Sequence, residues 1–328
     1  MAYRRHKVTG LASQVRLGLA RDDISITIGV DPHHRRSSAA NNLISVVQLG
    51  TVDYATGLRL QQSLVEMRKS GQIGDVLLLL EHSPVITLGR NASRENLLAS
   101  PELLARKGVE LFECDRGGDI TFHGPGQLVG YPIFDLRGFQ PRLGAVEFVR
   151  RLEEALIRSC AYFGVACERV KGLTGVWTIP STHVILSAER VNQPRSEPKA
   201  CPEPAEGDLA PPDDKNQAKI AAIGVHISRG VTSHGFALNV NTDLDYFKLI
   251  VPCGIASRPV TSLAQETGAK MNLEEVARSV AGYFAQVFAG DVQWVETLDE
   301  LLGRKVGFPM QPPAELRQLR GEEEIFLA

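Results

Sequence analysis

From Arg116 the chain reads Arg116-Gly117-Gly118-Asp119-Ile120-Thr121-Phe122-His123-Gly124-Pro125-Gly126-Gln127, and it continues to Tyr131. A guanidinium, a hydroxyl, an imidazole and an amide stand within twelve residues, more polar groups than a turn requires. Four glycines and a proline separate them, and glycine lets backbone approach a ligand closely or take a positive φ. The apolar runs Val109-Glu110-Leu111-Phe112 and Leu128-Val129-Gly130-Tyr131-Pro132-Ile133 predict strands on either side. Such a stretch suits the wall of a pocket. On composition alone, a long glycine hairpin with satisfied polar groups fits equally well.

Two further residues could carry chemistry. Cys253 stands between Pro252 and Gly254, on a turn that presents its side chain. The other cysteines, Cys114, Cys160, Cys167 and Cys201, fall in a predicted strand, a helix, a helix end and a loop. None forms a C-x-x-C pair, so there is no zinc signature and no disulfide framework, and reducing surroundings fit best. Lys219 opens an otherwise apolar strand, an unusual place for a lone lysine. Taken by itself it reads as a solvated strand end.

The stretch from Arg116 to Tyr131 resembles the signature of the lipoyl(octanoyl) transferases, R-G-G-x-x-T-aromatic-H-x-x-G-Q-x-x-x-Y. Further pieces of that family's pattern follow in order: Glu81-His82-Ser83-Pro84 through Arg90, Lys219-Ile220-Ala221-Ala222-Ile223-Gly224-Val225, His234-Gly235-Phe236-Ala237-Leu238-Asn239-Val240, and Pro252-Cys253-Gly254. The resemblance covers roughly residues 43–290. It implies transfer of an octanoyl group from octanoyl-acyl carrier protein, through a cysteine thioester, to a lysine of a lipoyl domain. The acceptors would be the lipoyl domains of 2-oxoacid dehydrogenases and the glycine cleavage H protein.

Acyl transfer of this kind needs a nucleophile, a proton acceptor and donors for the oxyanion. The resemblance makes Cys253 and Lys219 the catalytic dyad. A free thiol has a pKa of about 8.5, which a neighbouring lysine cation lowers. As a neutral amine the same lysine takes the proton of the incoming substrate lysine. Backbone N–H groups at the Pro252–Gly254 turn would face the oxyanion. The resemblance further implies that Arg116, Gly117, Gly118, Asp119, Ile120, Thr121, Phe122 and His123 line the acyl slot. Ala222-Ile223-Gly224 and Gly235-Phe236-Ala237 complete it, and their small side chains leave room for a chain. His123 either orients the thioester or makes a structural hydrogen bond. His82 and Arg90, which bracket a predicted strand, read as pocket groups or as surface groups at strand ends, and for His82 the surface reading is preferred.

The elements that must position these residues follow from periodicity. Leu43–Leu49 and Asp75–Glu81 predict strands, the second buried on both faces. Thr51 or Asp53 caps a helix that Gly71 ends. Helices are predicted over Asn96–Lys107, Leu143–Phe163 and Leu273–Phe288. Lys219–Ser228 and Val231–Asn241 form a hairpin turning at Arg229-Gly230. By resemblance the fold is α+β, with mixed β-sheets and flanking helices, like the catalytic domain of biotin and lipoate protein ligases.

The catalytic domain is expected over residues 43–290, after an N-terminal extension at 1–42 and before a C-terminal tail at 291–328. The extension carries Arg4, Arg5, Lys7, Arg16 and Arg21 before its first acid, Asp22. It reads as a disordered tail in preference to a mitochondrial transit peptide. From about 183 to 218, six prolines and many charges predict an exposed inserted loop.

A net charge of −2 argues against a dedicated nucleic-acid binder, and no apolar run is long enough to span a membrane. The expected location is cytoplasmic, or mitochondrial in a eukaryote. No metal ligand set and no G-x-x-x-x-G-K-[ST] phosphate loop is present, and a thioester donor needs no ATP or other cofactor. Two other readings share the pattern: an ATP-dependent lipoate or biotin protein ligase, and a non-catalytic module that binds acyl carrier protein.

Overall fold

The computed structural model describes residues 42–179, 217–255, 258–296 and Leu301. The expectations for the extension, for Cys201 and for nearly all of the inserted loop lie outside these residues. Strands β1 (Asn42–Val52), β2 (Asp75–His82) and β6 (Gln127–Ile133) lie side by side in the larger sheet. Between β2 and β6 come β3 (Val85–Leu88), β4 (Glu110–Glu113) and β5 (Ile120–His123). These three make a separate sheet in the order β4-β3-β5, with β3 parallel to β4 and antiparallel to β5. The chain then adds β7 (Cys167–Val170), β8 (Leu173–Thr178), β9 (Lys219–Ser228), β10 (Val231–Asn239) and β11 (Gly290–Val295). The larger sheet runs β11-β1-β2-β6-β10-β9-β8-β7, parallel across β11-β1-β2 and antiparallel elsewhere.

Helices α1 (Tyr54–Lys69), α2 (Pro101–Lys107), α3 (Ala145–Tyr162), α4 (Leu263–Thr267) and α5 (Leu273–Phe288) flank these sheets. The side-chain period of two sorts β2 between two cores. Leu77 and Leu79 face α3 and α5, packing with Leu152, Leu156, Val280 and Phe284. Val76, Leu78 and Leu80 face α1, packing with Leu60 and Leu64. Each fully buried leucine contributes roughly 1.5–3 kcal/mol. Asp53 caps α1 through a 3.0 Å bond from the Thr56 N–H.

Four boundaries differ from expectation. The helix predicted from Asn96 is only α2, because Ser100 caps it and Pro101 fills its first turn. Arg94–Asn96 is a separate 3₁₀ turn. The stretch between the predicted strands at 109–112 and 128–133 is not one loop, because Ile120–His123 pairs with β3 as a strand of the smaller sheet. Past residue 290, where a tail was expected, β11 lies alongside β1 and buries Val295. Gln217 and Ala218, assigned to the exposed insertion, are buried at the start of β9.

Candidate active site

β9 and β10 form a hairpin whose turn, Arg229-Gly230, has positive φ at both positions, the twist-matched geometry for a two-residue connection. The turn fixes a register in which Ala222 faces Ala237, Ile223 faces Phe236 and Gly224 faces Gly235. Over this part of the hairpin lies the segment entering β5. Gly117 donates its N–H to Val225 O at 3.1 Å. A Cβ on Gly224 would stand 2.5 Å from Gly117 O, so only glycine permits the two backbones to meet there.

The hairpin and this segment enclose a cavity of about 250 Å³. At one end are Lys219 and Cys253. Lys219 is buried, with its backbone tied to the segment after the cysteine: its N–H donates to Pro259 O and its carbonyl accepts from Thr261. Its Nζ donates to Thr174 O at 3.3 Å and to Cys253 Sγ at 3.2 Å, and lies 4.7 Å from the Trp177 ring centroid. Cys253 occupies the left-handed region at φ 56°, ψ 21°, an uncommon conformation for a residue with a side chain and one that clusters at functional sites. Two N–H groups of the turn are spent internally: Gly254 donates to Val251 O and Ile255 to Pro252 O. These two donors are therefore not available to an oxyanion.

Of the residues expected to line the slot, Arg116, Gly118, Asp119, Thr121 and His123 do so, as do Ala222 to Gly224 and Gly235 to Ala237. Gly117, Ile120 and Phe122 do not. Strand alternation turns Ile120 and Phe122 into the core beneath the smaller sheet, with Ile86, Leu104 and Phe247, while Thr121 and His123 face the cavity. Gly117 is spent on its bond to β9. Arg90 instead reaches His226, its Nη2 donating to Nε2 at 3.2 Å.

The buried polar groups are hydrogen-bonded in clusters. Arg116 donates from Nε and Nη2 to Thr87 Oγ1 and from Nη2 to Thr87 O at 2.7 Å. Gln127 donates to Phe122 O and Asn239 Oδ1, so its Oε1 accepts from His123 Nδ1 at 2.8 Å. His82 is fully buried, not a surface group. Its Nδ1–H donates to Val52 O at 2.8 Å, which leaves Nε2 to accept from the Tyr131 hydroxyl at 2.6 Å. Burial disfavours the charged imidazole and pushes His82 down to about 4 and His123 to about 3. Both are neutral near pH 7. Burial also pushes the Tyr54 and Tyr131 hydroxyls well above the usual phenol range. Tyr54 stacks on His123 with ring centroids 6.3 Å apart.

Sequence reasoning missed Tyr54, the Gly172–Thr174 segment and the part played by Asp115. Asp115 immediately precedes the Arg-Gly-Gly run, which was a signal that could have been used. Its carboxylate accepts from His234 Nε2 at 2.7 Å and from His226 Nδ1 at 2.5 Å. The His234 bond leads in holding it well below the usual carboxyl range. Among the described residues, no group of His, Cys, Asp and Glu is placed to hold a metal ion, and no helix is long and apolar enough to cross a membrane.

Residues 53–285 match the family model of the lipoyl protein ligase A/B catalytic domain. The chain is 54% identical over 285 residues to an octanoyltransferase of Koribacter versatilis, covering 87% of this chain and 100% of that protein. It is 52% identical over 267 residues to an octanoyltransferase of Acidobacterium capsulatum, covering 79% and 96%. The fold matches a bipartite lipoate protein ligase from Thermoplasma acidophilum at a TM-score of 0.55 and 15% identity, covering 85% of this chain and 92% of that one. It also matches a lipoate-protein ligase A bound with ATP at a TM-score of 0.54 and 13% identity, covering 85% and 94%.

Proposed function

The chain belongs to the lipoyl protein ligase A/B catalytic domain family, and from that premise we propose that it is an octanoyltransferase acting through a covalent Cys253 thioester. The observation that carries the mechanism is the 3.2 Å contact of Lys219 Nζ with Cys253 Sγ at one end of the cavity. The donor is octanoyl-acyl carrier protein, and the acceptor is a lysine of a lipoyl domain, such as those of 2-oxoacid dehydrogenases and the glycine cleavage H protein. The reading sets the enzyme in the cytoplasm, where Cys253 stays a free thiol.

Transfer takes two steps. An ammonium beside the sulfur favours the thiolate, which attacks the thioester carbonyl of the donor. A new C–S bond forms, the bond to the carrier breaks, and the carrier thiolate leaves with a proton from Lys219. The acceptor amine then attacks the acyl-cysteine. A C–N bond forms and Cys253 leaves as thiolate. Of the two protons the acceptor ammonium loses, one returns to the neutral Lys219 and one goes to solvent. Ala222, Gly224, Gly235 and Ala237 leave space for the alkyl chain, and Arg116 holds the wall through Thr87.

The lipoate-protein ligase A bound with ATP shares this fold. In the mechanism proposed here the thioester itself activates the acyl group. Transfer from octanoyl-acyl carrier protein to a lipoyl domain in the absence of nucleotide is the expected result. A strict requirement for ATP would overturn the reading.

A further inference from the structure

The far end of the cavity closes on a group that acyl transfer does not use. Lys219 runs forward along the sheet: its Nζ reaches Thr174 O, beyond the pairing of Val176 with Ala221. The amine and the Cys253 sulfur are therefore level with Ala222 and Ile223. His234 pairs with Val225, two to three residues further on, which is roughly 7–10 Å at the rise of a strand. An extended chain advances roughly 1.2 Å per bond, so the seven bonds from C1 to C8 of an octanoyl group span roughly 8 Å. His234, which lines the same cavity, thus lies on the strand at about the depth an eighth carbon would reach.

The His234 ring is held from several sides. Its Nε2–H donates to Asp115 Oδ1 at 2.7 Å, and its backbone N–H donates to Gln61 Oε1 at 2.7 Å. Its φ of 54° fixes the strand in a conformation that residues with side chains rarely adopt. Asp115 is itself bridged to His226, which accepts from Arg90. The ring is 4% exposed and lines the cavity, whereas the Asp115 side chain is 52% exposed and does not. His234 therefore separates the apolar slot from a solvated carboxylate.

We infer that His234, held in place by Asp115, is the end stop of the acyl slot and sets its upper limit of chain length. A longer chain would have to displace the ring, break a charge-assisted hydrogen bond and place methylenes against a carboxylate. The inference rests on the octanoyl-transfer reading and deepens it. His234 is a specificity-determining residue, and Asp115 positions it.

The test is a competition. Octanoyl- and dodecanoyl-acyl carrier protein are mixed in equal amounts with enzyme and no acceptor, and the acyl-enzyme is resolved by intact mass. The wild-type chain should carry octanoyl almost alone. In His234→Gly, where glycine suits the positive φ, the ratio of dodecanoyl to octanoyl label should rise at least tenfold. In Asp115→Ala it should rise by a smaller factor, and this exposed site carries the test if the first variant does not fold. A ratio unchanged in every variant that folds, including one in which both labels fall together, would overturn the inference. A wild-type chain that takes up neither group would instead remove the octanoyl-transfer reading on which it stands.

Discussion

The amine of Lys219 donates a hydrogen bond to the sulfur of Cys253 across 3.2 Å, although 34 positions separate the two residues. What joins them is backbone: Lys219 N–H bonds Pro259 O, and Thr261 N–H bonds Lys219 O. The segment after the cysteine thus runs beside the first residue of β9, and the left-handed conformation of Cys253 turns its side chain toward the lysine.

In the proposed mechanism Lys219 gives a proton in the first half-reaction and takes one in the second, so Lys219→Ala should slow both. General acid–base groups contribute about 10²–10⁴-fold, and a loss in that range is expected for transfer to the acceptor. Lys219→Arg should keep more of the acylation rate than of the transfer rate, because arginine supplies the charge but stays protonated. Single-turnover kinetics on each half-reaction makes the comparison. Equal losses in both steps for the arginine variant would contradict the dual role.

Stability should fall as pH drops below about 6.5, ahead of the carboxylates. His82 and His123 are neutral in the fold, at about 4 and about 3, against about 6.5 in the unfolded chain. Between those values the unfolded state binds more protons, so unfolding free energy declines as pH falls through that window. At pH 5 the His82 shift alone amounts to roughly 2 kcal/mol. Denaturant midpoints from pH 7.5 to 4.5 should slope accordingly. His82→Gln should lower stability at neutral pH and flatten the slope. A profile flat to pH 4.5 in the wild-type chain would contradict the buried, neutral assignment.

Gly224→Ala places a methyl group 2.5 Å from Gly117 O, a backbone atom that cannot swing away. Overpacking of this kind costs about 1–3 kcal/mol. The displaced segment carries Arg116 and Gly118, which line the cavity, so KM for the octanoyl donor should rise more than kcat falls. Thermal unfolding and steady-state kinetics on the same preparation separate the two effects. A variant with wild-type stability and KM would show that the close approach is dispensable.

Much of the arrangement was legible in residue types and spacing. The leucine run Leu77–Leu80 reads as a doubly buried strand, and it is one. Arg229-Gly230 between two apolar runs reads as a hairpin turn, and the turn fixes the register of the cavity's floor. Cys253 and Lys219 were recognisable from their flanking residues and the resemblance, and the fold brings them together. Illegible was which side chains of the Arg116–His123 segment face inward. That depends on Ile120–His123 being a strand paired with β3, a contact between residues more than 30 positions apart. His82 looked like a strand-end group, because burial by α1 and bonding to Val52 O and Tyr131 cannot be read from its neighbours in sequence. The Asp115–His234 pair spans 119 positions and two elements, and no local pattern announces it. The start of α2 was misread for a local reason: Ser100-Pro101 is a start signal that outweighs the apolar periodicity before it.

In the proposed mechanism an octanoyl group rests on Cys253 between donor and acceptor. Incubating the enzyme with octanoyl-acyl carrier protein alone, then measuring intact mass and mapping the label by peptide fragmentation, tests it most directly. One octanoyl group per chain is expected on Cys253, lost when a lipoyl domain is added and absent in Cys253→Ala, which also loses transfer. Label on Cys114 or Cys160, or full transfer by Cys253→Ala, would contradict it.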